Sequence, residues 1–152
     1  MEERTKQLLK DVTTIQEWED SIFLYPTTVN FLNGDFWNRK GAMFSGSQKK
    51  ELEVNSRKLG TYAWGPSLIF GKMQFLDPNK VGMFSEQDQT YTDSAMRNRY
   101  KIRLSVSPVY FDSNQCLLFL SRDNSGSSIA WYYREGKFKT WKLKEVIDEA
   151  SY

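Results

Sequence analysis

The sequence predicts an α+β domain, an N-terminal helix packed on a curved antiparallel sheet that ends in a C-terminal β-meander. Two patterns predict it. Leu8, Val12, Ile15, Trp18 and Ile22 recur at spacings of four, three, three and four, which draws one apolar helical stripe. From Arg97 onward, Tyr100, Ile102, Leu104 and Val106 alternate with Arg97, Arg99, Lys101 and Arg103, the period of a half-buried strand.

Taken in order, residues 2–22 read as helix, with Glu2 and Glu3 at the end where the macrodipole favours negative charge. A break is allowed at Thr13-Thr14, where Thr14 and Glu17 fit a capping box for a second helix. Residues 30–46 hold no sustained period and read as turns and short extended pieces around Asn33-Gly34. Ser47 then reads as an N-cap and Gly60 as a C-cap, with a mostly polar surface helix over Gln48–Leu59. Gly60–Pro66 is a loop carrying Tyr62 and Trp64, Ser67–Phe75 a strand, and Asp77–Lys80 a turn.

After the basic strand, apolar runs at Val109–Phe111, Cys116–Leu120, Ile129–Glu135 and Phe138–Leu143 are separated by short polar or glycine-bearing turns, the pattern of a meander. The acidic tail (Glu145, Asp148, Glu149) reads as a last helical turn. No repeat or linker interrupts residues 1–152, so one domain is expected.

The stretch Leu104-Ser-Val-Ser-Pro-Val-Tyr-Phe-Asp-Ser-Asn114, then Cys116–Leu120, Gly126, Trp131-Tyr-Tyr133 and Gly136 to Trp141, resembles the tail of a group of small uncharacterised bacterial proteins. The resemblance covers about a third of the chain. It implies a cystatin-like or NTF2-like fold, a helix on a curved antiparallel sheet, and it implies no activity.

Composition narrows the chemistry. The chain has no histidine, which removes the commonest general base and every His-dependent hydrolytic triad. Its single cysteine, Cys116, allows no intramolecular disulfide and no zinc site, so neither cofactor nor metal is expected. Ser47-Gln-Lys-Lys50 matches the Ser-x-x-Lys of penicillin-binding enzymes in form, without either companion motif. Carboxylates at Glu17, Glu19, Asp20, Asp112 and Asp123 leave a carboxylate-dependent enzyme as a further alternative, though nothing pairs any two of them. No window of about 18 apolar residues suggests a membrane span. As written the chain reads as soluble and cytoplasmic, or as periplasmic or cell-envelope if a leader has been removed.

Charge is polarised. Residues 1–96 carry a net −2, residues 97–144 a net +7 and residues 145–152 a net −3. Arg97, Arg99, Lys101 and Arg103 would form a stripe with a side chain about every 6.6 Å, suited to an acidic partner, with Arg134, Lys137, Lys139 and Lys142 nearby in sequence. Tyr62 and Trp64 are candidate interface anchors in a glycine-bounded loop. These features predict a non-enzymatic binding protein, most concretely a small bacterial immunity or inhibitor protein for a partner with an acidic surface. The alternative is a cup-shaped domain that binds a small ligand or carbohydrate among Trp131, Tyr133 and Trp141. With a net charge of only +2 and no nucleic-acid motif, nucleic acid is not the expected partner.

Overall fold

A computed structural model describes residues 1–76, 102–123 and 125–151. Helix α1 spans Glu2–Val12 and stops where the expected helix was allowed to break. Thr13 adopts an extended conformation, and both its backbone N–H and its hydroxyl donate to the Leu9 carbonyl. A β-branched residue whose hydroxyl competes for backbone acceptors one turn back is a poor continuation of a helix. Ile15–Glu17 forms a single 3₁₀ turn in which Thr14 makes no side-chain cap, so the second helix is absent. Ile22, the last member of the predicted stripe, instead opens strand β1 (Ile22–Leu24), all three residues of which are buried.

The segment read as turns holds a helix, α2 (Gly34–Lys40). Asn33 Oδ1 accepts from Phe36 N at 2.9 Å, Asp35 lies in the first turn, and Arg39 and Lys40 lie in the last. Local cap and dipole terms therefore agree along a helix too short to show a period. Helix α3 (Gly46–Leu59) is capped by Ser45, not Ser47, through a full capping box with Gln48. Gly60 ends it with φ +47°. Leu52, Ser56 and Leu59 are buried, so α3 is packed against the molecule along one side.

Of the strand expected over Ser67–Phe75, only β2 (Met73–Phe75) forms, after a 3₁₀ turn at Pro66–Leu68. The meander is present as β3 (Ile102–Phe111), β4 (Gln115–Arg122), β5 (Gly126–Tyr133) and β6 (Lys142–Ser151). The sheet order is β2-β1-β3-β4-β5-β6. The four C-terminal strands run antiparallel in sequence order, while β1 lies parallel to both β2 and β3, which makes the sheet mixed. The acidic tail is not helical: Asp148 stands opposite Ile129 and Glu149 opposite Ser128 in β6.

Helices cover both faces of this sheet. Leu8 and Leu9 of α1 share one buried cluster with Leu104, Val106, Cys116, Leu118 and Trp141. Phe36 of α2 and Leu52 of α3 share a second with Val109, Phe111, Leu117 and Trp131. Every residue of β3 is therefore buried except Arg103, which is partly so. The alternation seen in sequence survives as two covered faces: the face that was expected to be basic and solvated carries Ser105 and Ser107 beyond Arg103, and both are buried. Ser107 Oγ accepts from Val29 N at 2.8 Å.

Candidate functional site

Arg97, Arg99 and Lys101 lie outside the described residues. Arg103 is consumed within the fold. Its Nε stands 3.1 Å from Asp123 Oδ2, the same oxygen accepts the Tyr25 hydroxyl at 2.5 Å, and Asp123 N donates to the Arg103 carbonyl. Trp64 is buried in the α1-side cluster, with its indole N–H directed at the Val106 carbonyl, so it belongs to the interior instead of presenting a surface anchor. Tyr62 is half-buried, packs edge-on against Trp64, and gives its hydroxyl to Glu2.

The cup expected from Trp131, Tyr133 and Trp141 does not form, because the three do not share a cavity. Trp131 is stacked on Phe44 at 4.8 Å in the α2/α3-side cluster, while Trp141 is 1% exposed in the α1-side cluster. Tyr133 lines a shallow depression with Asn114 and Arg134. Trp131 and Tyr133 share a strand face, but α2 and α3 cover that face at Trp131 while Tyr133 lies at the strand end, and Trp141 precedes β6 altogether. Cys116 is fully buried, and burial pushes its thiol up, away from the reactive thiolate.

What the fold does assemble is a ladder of cations on aromatic faces. The Arg4 guanidinium lies 3.6 Å from the Tyr110 ring centre. Tyr110 packs on Trp141 at 6.0 Å, and the Arg134 guanidinium lies 4.6 Å over Trp141. Arg134 is held by two bonds, from Nε to Asn114 Oδ1 at 3.0 Å and from a terminal nitrogen to the Lys137 carbonyl at 2.8 Å. Burial first, and the like charge of Arg4 second, lower its proton affinity. Beyond it, Lys139 N bonds to the Gly136 carbonyl and turns the hairpin, which carries Phe138 into solvent at 94% exposure between Lys137 and Lys139.

Two of the acidic groups near this ladder are already engaged, while Glu135, next to Arg134, is exposed. Asp11 accepts from Trp141 N and Gln7, and Asp112 accepts from Gln48 and Gln115. Buried rings below and cations above leave a surface that can attract and stack on an anionic partner.

A separate groove of about 300 Å³ lies between α2 and the ends of β5 and β6. Its cation, Arg39, is paired with Asp35 at 3.0 Å and Asp148 at 2.8 Å. Among the described residues, no group of three or more metal-type side chains gathers, and no helix is long and apolar enough to cross a membrane.

The sequence reading placed Lys137 and Lys139 near the basic face but took Phe138 as the start of a strand. The available signal was Gly136 followed by an aromatic between two lysines, a turn pattern rather than a strand pattern. Arg4 carried no sequence signal, since its partner ring is 106 residues away. No family model, curated protein or solved structure matches this chain.

Proposed function

We propose that this chain is a non-enzymatic binding protein of the immunity or inhibitor kind, which docks on an acidic surface of a partner protein through the β5–β6 hairpin. Phe138 is the anchor that enters an apolar recess of the partner. Lys137, Lys139 and Arg134 meet the carboxylates around it. The observation that carries this reading is the 94% exposure of Phe138 between two lysines, beside an arginine already held in place by its own chain. Preorganised guanidinium and an aromatic with few rotatable bonds lose little entropy on association, which is the economy of a hot spot. The absence of histidine and the +7 charge of residues 97–144 agree with adhesion rather than catalysis. By charge, Arg97, Arg99 and Lys101 extend the same reading.

The test is site-specific photo-crosslinking with a benzophenone amino acid at position 138 in cells of the source organism. The expected result is one predominant adduct to an acidic protein. With that partner purified, F138A weakens binding by about 30-fold or more. The double reversal K137E/K139E slows association at low salt by about tenfold, with little effect at high salt. An adduct to nucleic acid, or no adduct dependent on these lysines, overturns the reading. Reversal at Arg103 is not a substitute, because it breaks the Asp123–Tyr25 cluster and so reports on stability.

A further inference from the structure

We propose that the recess between the start of α1, the end of α3 and the C-terminal part of β3 is a binding site for a small aromatic carboxylate. It encloses about 290 Å³, close to the lower bound of about 300 Å³ for small-molecule sites. Its apolar wall is Leu59, Pro108, Val109 and the Tyr110 ring, and its cations are Arg4 and Lys58.

Charge balance carries the argument. Arg4 gives one face to Tyr110, and among the described residues neither Arg4 nor Lys58 has a hydrogen bond or an ion pair. Of the two acids that precede Arg4, Glu3 is exposed and makes no bond to it, and Glu2 is engaged: Oε1 accepts from the Tyr62 hydroxyl at 2.5 Å and from Gly65 N at 3.1 Å. The Asn55 amide is likewise committed, to the Tyr110 carbonyl at 2.7 Å. The recess thus offers a guanidinium edge and an ammonium without a carboxylate to match them, above an apolar floor. A guanidinium edge accepts a carboxylate through two parallel bonds, and Lys58 adds a point charge. With the Tyr110 ring covered by Arg4, the Tyr62 ring and the Leu59, Pro108 and Val109 wall suit a flat ring over a flexible chain. The sequence singled out Tyr62 as a surface anchor; here it becomes one wall of a small-molecule site. This inference is independent of the hairpin reading.

The test is an amide-resolved NMR titration of the full chain with phenylacetate, its neutral analogue phenylacetamide, and phenylphosphonate. Phenylacetate is expected to shift Arg4, Asn55, Lys58, Tyr62 and Val109 saturably. Phenylacetamide binds at least about tenfold more weakly, the loss of one charge-assisted contact. K58Q, at an exposed position, leaves the fold intact and reduces the preference for the anion, and R4Q/K58Q abolishes it. F138A leaves the titration unchanged, which separates this site from the hairpin. Equal binding of phenylacetate and phenylacetamide, shifts centred elsewhere, no saturation, or tighter binding of phenylphosphonate each overturns the assignment.

Discussion

Tyr110 shows how much one side chain in this molecule is asked to do. Its ring carries Arg4 on one side and packs against Trp141, while its hydroxyl bonds to Thr5 Oγ1 at 2.7 Å in the buried core. Burial pushes its ionisation well above the ordinary tyrosine value, so the phenol stays neutral and serves only as a hydrogen-bonding group. Removing one member of a buried pair leaves the other unsatisfied, whereas removing both does not. Y110F is therefore expected to cost about 1–3 kcal/mol, and adding T5V to it should recover part of that loss. Urea unfolding of the two single variants and the double variant checks this; strictly additive losses would contradict it. Sequence could identify Tyr110 as a strand residue. It could not pair it with Thr5, because the bond spans 105 positions.

At the scale of elements, the strands were legible where chain period and turn chemistry agreed, as in the β3–β4 hairpin with Asp112 and Ser113 both at positive φ. They were misread where a short element shows no period, as in α2, or where an edge strand is mostly polar, as in β6. Gly126 illustrates a constraint only the pairing reveals. It opens β5 at φ +149°, and a Cβ there would lie 2.3 Å from the Ala150 carbonyl oxygen of β6. Side chains other than hydrogen are excluded both by the dihedral and by the neighbouring backbone. G126A is expected to destabilise the protein by at least about 1–3 kcal/mol, with loss of amide protection concentrated at the Gly126–Ser151 end of the hairpin. Hydrogen exchange checks the location: uniform loss across the sheet would be the wrong pattern.

For the molecule as a whole, α1 is tied down at both ends. Glu2 accepts from Tyr62 and Gly65, and Asp11 accepts from Trp141 N at 3.0 Å. The Tyr62 bond, foremost, holds the Glu2 carboxyl below its ordinary value and correspondingly raises the Tyr62 phenol. A depressed value in the folded state means that the ionised carboxylate stabilises the fold. That contribution is complete above the ordinary carboxylate range and is lost as pH falls through the lowered value. E2Q should therefore be less stable than the parent chain by about 1–2 kcal/mol near neutrality, allowing for partial solvent screening. The gap should close on acidification below about pH 4. Denaturation of both proteins as a function of pH checks the sign, and a gap that widens in acid would refute it. The same N-terminal turn carries Arg4, so the tie that docks α1 also frames the proposed carboxylate recess.

The sequence by itself determined the α+β class, the placing of β4 and β5 and the want of an imidazole, because strand period, turn residues and composition are local properties. Only the tertiary structure decided that β1 joins the sheet in parallel and that helices cover both of its faces. It therefore also decided that Arg103, Trp64, Trp131 and Trp141 serve the interior while Phe138 stands in solvent. Those outcomes depend on partners tens of residues away, and alternation along one strand says which residues share a face without saying what lies over it.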